Sequence, residues 1–112
     1  MTDSDGATYV QVTTATETRE EAVRLARSAV AARLAAGAQI VGPVGSVFIH
    51  LGEPGEGEEW QLILKTTLDR FPELEAHLVA AHSWQKPEVV AVPFAAVSKP
   101  YGEWISATVA GP

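Results

Sequence analysis

From Tyr9 to Thr14 the chain mixes Val, Thr and Tyr, β-branched and aromatic types that suit a half-buried pleated surface, and a first strand is predicted there. Thr18 and Glu21 have capping-box spacing, in which a hydroxyl and a carboxylate each take a free backbone N–H of a helix's first turn, so a helix is expected from Arg19. On a wheel of about 100° per residue Ala22, Leu25, Ala26, Ala29 and Val30 share one face, opposite Glu20, Arg24, Arg27 and Ser28. Such a helix covers a sheet. Gly37, just past the last periodic residue, is expected to close it with left-handed backbone, ending the helix near Ala36.

Gln39 to Leu51 is rich in Val and Ile but interrupted by Gly42-Pro43 and Gly45, which predicts a long strand with a bend or bulge. Its expected partner is Glu59 to Thr67, joined to it through an acidic, Gly-rich hairpin tip from Gly52 to Glu58. Asp69 is expected to cap a second helix that carries Pro72 in its first turn. Phe71, Leu74, Leu78 and Ala81 form its apolar face, with His82 beside them at its end, and Pro87 stops any continuation. Glu88 to Val97 is nearly all apolar and reads as a buried strand, Pro93 marking an edge or bulge. A short helix over Tyr101 to Val109 completes the chain.

The order β-α-β-β-α-β plus a terminal helix is the split βαβ, or ferredoxin-like, arrangement: an α+β sandwich with a long hairpin. One domain is expected over residues 9–109, flanked by a flexible N-terminus (1–8) and a short tail (110–112). Two helices cannot cover so long a hairpin. Val47, Phe48, Ile49, Leu62 and Leu64 are expected to need a further surface, which a partner subunit supplies most simply.

Composition narrows the function classes. At 112 residues and 46% apolar content the chain suits one compact domain with a buried core. A net charge of -6 argues against nucleic acid, whose phosphates are bound by clustered Lys and Arg. Without cysteine there are no disulfides, thiolate nucleophiles or Cys-based metal sites, and nothing demands an oxidising compartment. No apolar run approaches the roughly 20 residues that cross a bilayer, and the first six residues lack a signal-peptide pattern, so a cytoplasmic protein without membrane contact is expected.

The segments Arg33-Leu34-Ala35-Ala36-Gly37-Ala38-Gln39-Ile40-Val41 and Trp60-Gln61-Leu62-Ile63-Leu64-Lys65-Thr66-Thr67 together resemble the CutA divalent-cation tolerance family. The likeness extends to Thr18-Arg19-Glu20-Glu21-Ala22, Ser46-Val47-Phe48, Lys86-Pro87-Glu88-Val89-Val90-Ala91-Val92-Pro93 and Tyr101-Gly102-Glu103-Trp104-Ile105. It implies a ferredoxin-like subunit packed as a homotrimer, hairpins and C-terminal segments reaching across to neighbours, and tolerance of copper and other divalent cations without an established reaction. The family's metal-linked positions are a Cys-Thr-Ala segment in strand one, a Cys after Ala-Ala near the first helix and a His-His-Pro-Tyr turn. Here they read Thr13-Thr14-Ala15, Ala36-Gly37 and Ala81-His82-Ser83-Trp84. The soft thiolates that Cu(I) prefers are gone. What the resemblance leaves is His82, with Glu59 at the family's acidic position, as an imidazole–carboxylate site for weakly held Cu²⁺ or Zn²⁺.

His82 also reads as a neutral imidazole packed against the helix end and tied to a backbone carbonyl. His50 is expected to stack in the hairpin and His77 to be solvated. A second function class is a trimeric, small-molecule-responsive signalling regulator, with Lys65 and Arg33 holding an anionic ligand at an inter-subunit cleft and Trp84 covering it. Lys65 alternatively snorkels or pairs with Glu88, while Trp84, Tyr101 and Trp104 suit interface anchors. Glu53, Glu56, Glu58 and Glu59 lack calcium-loop spacing and read as a solvated turn. An acylphosphatase-like enzyme needs an Arg after strand one, where Ala15-Thr16-Glu17-Thr18 places an acid, and no Ser-His-Asp motif appears. No enzymatic activity is expected.

Overall fold

The computed structural model describes residues 7–110. Its elements run β1 (Tyr9–Thr16), α1 (Arg19–Ala31), β2 (Gly37–His50), β3 (Glu53–Thr67), α2 (Phe71–Ala81), β4 (Val90–Pro93) and α3 (Lys99–Val109), with a 3-10 turn at Leu68–Arg70. The strands form one sheet in the order β2-β3-β1-β4, and every neighbouring pair is antiparallel. β1 pairs with β3 along its whole length, from Tyr9↔Thr67 to Thr16↔Trp60, whereas β4 pairs with it only from Val10 to Thr13.

Strand alternation sends successive side chains to opposite faces, and the two faces are filled differently. Val10, Val12, Leu62 and Leu64 pack under Leu25, Ala26 and Ala29 of α1 and Leu74 and Leu78 of α2, forming the main core. Tyr9 points the other way and joins Ile105 and Val109 of α3 in a smaller cluster. Its hydroxyl lies 2.7 Å from Ser106 Oγ.

Several boundaries differ from those read in the sequence. α1 ends at Ala31, and Gly37 opens β2 instead of capping the helix. The left-handed position falls on Arg33, at φ 60, with Leu34 N–H donating to the Ala29 carbonyl and Arg33 N–H to the Val30 carbonyl, both at 3.0 Å. This is a Schellman ending with arginine in the glycine place. Leu34, Ala35 and Ala36 are all buried, and three consecutive residues cannot share one helix face.

The hairpin tip is only Leu51-Gly52, at φ 52 and φ 80, and the acidic segment from Glu53 to Glu58 is strand, paired with His50 to Gly45. Two positive φ angles in a two-residue loop match the twist of the flanking strands. The expected bulge is present as a register shift between Val41 and Val44. Gly42 there lies under the Trp60 ring, and Gly55, opposite Phe48, lies under the Phe48 ring.

Of the residues expected to need outside cover, Leu62 and Leu64 are buried by the chain's own helices. The outer half of the hairpin is not: Val47 is 77%, Ile49 70% and Leu51 89% exposed. Asp69 does not cap α2 but accepts a hydrogen bond from Thr67 Oγ1, and the helix starts at Phe71 with Pro72 in its first turn as expected. β4 is a four-residue edge strand with Val90 and Val92 exposed, because they share the sheet face of Tyr9, where α3 packs on Tyr9 and leaves them uncovered.

Candidate functional site

The polar groups converge where the end of β1, the first turn of α1 and the end of α2 meet. Thr18 caps α1 by accepting the Glu21 N–H at 3.1 Å. The Glu21 carboxylate then turns to the far side of the junction. Its Oε2 accepts the Ser83 N–H at 2.9 Å and its Oε1 the Ser83 hydroxyl at 3.0 Å, while Arg24 lies 3.7 Å away as an ion pair. Arg24 also donates to the Ala81 carbonyl at 3.2 Å.

His82 is the C-cap of α2, and its side chain is fully buried. Nε2 lies 2.7 Å from the Ala15 carbonyl, and Nδ1 lies 3.0 Å from the Trp84 N–H. A carbonyl only accepts and an amide N–H only donates, so the proton sits on Nε2 and the lone pair on Nδ1. The ring is a neutral imidazole fastened to main chain on both sides. The Trp84 indole packs against it at 5.1 Å between ring centroids, and Glu21 Oε2 stands 3.6 Å from Nδ1.

A divalent ion needs free lone pairs from several donors. Neither His82 nitrogen offers one here. Glu59 sits on β3 opposite Val44, one residue beyond the Trp60 that faces Thr16. Among the described residues no three His, Cys, Asp or Glu side chains stand together as a metal cluster. Within one protomer the described residues bring no further free donor to His82.

Lys65 lies between Gln11 and Gly37 in the sheet, and Arg33 is at the turn after α1, whose Leu34 carbonyl accepts from Thr66 Oγ1 at 2.8 Å. Trp84 is anchored beside Ala15, four register steps from Gln11 and about 13 Å along the strand. One protomer therefore keeps Trp84 apart from Lys65 and Arg33. His77, expected to be solvated, is half-buried, and its Nε2 meets Ser28 Oγ at 2.7 Å, tying α2 to α1. His50 is exposed at the hairpin end. Tyr101 and Trp104 stack at 5.4 Å, both exposed, with Trp104 closing over Gly37. The Glu21–Ser83 clamp has no distinct signal in the sequence, because the spacing of Glu21 from Thr18 also fits the local capping role.

A family model described as CutA1 divalent ion tolerance protein matches residues 10–108. The chain belongs to this CutA1 family. The divalent-cation tolerance protein CutA of Thermus thermophilus is 38% identical over 87 residues, covering 77% of this chain and 84% of that protein. The chloroplastic protein CutA of Arabidopsis thaliana is 37% identical over 87 residues, which are 78% of this chain and 48% of that longer protein. Among solved structures, the periplasmic divalent cation tolerance protein CutA from Archaeoglobus fulgidus superposes with a TM-score of 0.87 at 30% identity, covering 90% of this chain and 98% of that one. The α+β fold, a four-stranded antiparallel sheet with three helices, is thus that of CutA1 structures. No helix among the described residues is long and apolar enough to cross a membrane.

Proposed function

We propose that this chain serves divalent-cation tolerance as a non-enzymatic, cytoplasmic homotrimer of ferredoxin-like subunits. The match over residues 10–108 to a family named for divalent ion tolerance supports the functional half. The outer hairpin supports the assembly. A two-stranded ribbon is marginal in water by itself, and Val47, Ile49 and Leu51 project from this one without cover. Contiguous exposed apolar surface of this kind marks an interface, and further copies of the chain supply it symmetrically.

Copper and other divalent ions enter this reading as weakly held species, because the chain has no thiolate and its buried imidazole is engaged on both sides. Calorimetric titration with Cu²⁺ and Zn²⁺ tests that part, and wild type and His82→Ala are expected to give equally weak, unsaturable heats. A tight heat in wild type that vanishes in the variant would overturn it. For the assembly, light scattering is expected to give three times the 11.9 kDa protomer mass. A lone protomer at micromolar concentration would refute the trimer.

A further inference from the structure

We propose that Glu59 of one copy of this chain is seated on Lys65 of the next, so that copies meet head to tail across the sheet face that α1 and α2 leave open. The inference rests on the homotrimer proposed above and names the contact that orders it. Strand alternation and register place the residues. On β3, Glu59, Gln61, Ile63 and Lys65 share the face of Tyr9, because Leu62 and Leu64 between them point into the core under α1 and α2.

Exposed apolar side chains gather on this same face. Val41 lies opposite Gln61, Phe48 opposite Gly55, and Val90 and Val92 opposite Thr13 and Gln11. Trp104 stands over Gly37, with Tyr101 stacked on it. These six side chains are 41% to 57% exposed. Apolar surface gathered on one open face marks an interface, and a second copy brings surface of the same kind.

The charges set the direction of the contact. Among the described strand residues on this face, Lys65 is the only lysine or arginine, and Glu59 is the carboxylate nearest to it along β3. Both are half-buried, and neither takes part in an ion pair or a side-chain hydrogen bond among the described residues. Six positions of one strand hold them roughly 20 Å apart, so a single protomer cannot join them. The two ends of the face also differ in shape. Beside Lys65 stand Gly37 and the Trp104 ring, and beside Glu59 stands Val44, with Phe48 further out on the same strand. Setting the Glu59 end of one copy on the Lys65 end of the next matches acid with base and aliphatic with aromatic surface. Such a contact uses two different patches, and contacts of that type close into rings, of which a trimer is one. Complementary charges fix register and reject wrong pairings more than they add affinity. Glu88, the other acid near this face, is exposed and precedes β4 outside the ladder.

Light scattering over a dilution series tests the pairing, with circular dichroism to confirm folding. Lys65→Glu and Glu59→Lys each bring like charges together and are expected to raise the protein concentration at half-assembly at least about tenfold. The double variant carrying both exchanges is expected to recover most of that loss. Should a variant not fold, a zero-length carbodiimide, which joins an ammonium to a carboxylate only in contact, is applied to the wild-type protein. The expected product is an amide between Lys65 and Glu59 in chains linked in twos and threes. A single reversal that assembles like wild type, or a double variant no better than either single, would overturn the pairing and leave the trimer standing. So would Lys65 joined to Glu88, or to no residue at all. A wild-type chain that stays a lone protomer overturns the trimer and the pairing together.

Discussion

Three buried threonines face the helices from the sheet, and one substitution should affect them in opposite directions. Thr14 is fully buried opposite Leu62, and its Oγ1 has no hydrogen-bond partner among the described residues. Thr16, two residues along on the same face, donates to the Thr18 carbonyl at 2.7 Å, and Thr66 donates to the Leu34 carbonyl at 2.8 Å. An unmatched buried hydroxyl costs about 1–3 kcal/mol in protein mutational series. Thr14→Val replaces that hydroxyl with a methyl, keeps the β-branch that suits a strand, and should stabilise the fold by about 1–2 kcal/mol. Thr66→Val leaves a buried carbonyl without its donor and should destabilise by about 1–3 kcal/mol. Thr16→Val should lose only about 1 kcal/mol, because the Thr18 carbonyl keeps the Ala22 N–H at 3.3 Å. Urea unfolding at one fixed protein concentration gives all three numbers as differences from wild type, and the fixed concentration holds any contribution from assembly constant. A Thr14→Val protein no more stable than wild type, or one that ranks with Thr66→Val, would refute the claim that the Thr14 hydroxyl is unmet.

Other sites give equally direct tests. A Cβ on Gly42 would come within 2.6 Å of the Trp60 ring, so Gly42→Ala should destabilise by about 1–3 kcal/mol and shift the tryptophan fluorescence, read in the same urea series. Leu64→Ala opens a cavity at a fully buried core position and should lower stability by about 2–5 kcal/mol, seen as a drop in Tm by scanning calorimetry. Ile49→Asp charges the exposed hairpin without touching the core. It should leave the circular dichroism of the subunit unchanged and reduce the mass found by light scattering.

The parts of the fold legible in the sequence are those where side chains repeat against a core. Ala22, Leu25, Ala26 and Ala29 were readable because α1 covers the sheet with one face, and the order of elements follows from such stripes. The helix end was not readable. Leu34, Ala35 and Ala36 continue the apolar run, yet they are buried by a turn whose left-handed residue is Arg33, and Gly37 only looked like the cap. The strand from Glu53 to Glu58 was hidden for the opposite reason: it stands clear of the core, so it shows no buried alternation. At β4 an apolar run implied burial, but burial depends on whether something lies above the strand, which no local pattern records. The candidate site was legible as a residue and not as an arrangement. His82 reaches a carbonyl 67 positions away, and Glu21, found at capping spacing, spends its carboxylate on Ser83.

The arm formed by β2 and β3 turns back through only two residues, and the Phe48 ring is seated on Gly55 across from it. Its reach can therefore be altered only in matched steps of two residues on each strand. A single inserted residue would rotate Val47 and Ile49 to the opposite side and carry Phe48 off its glycine. Lengths among arms of this design should differ by even numbers, and an odd difference should come with a second bulge that restores the facing.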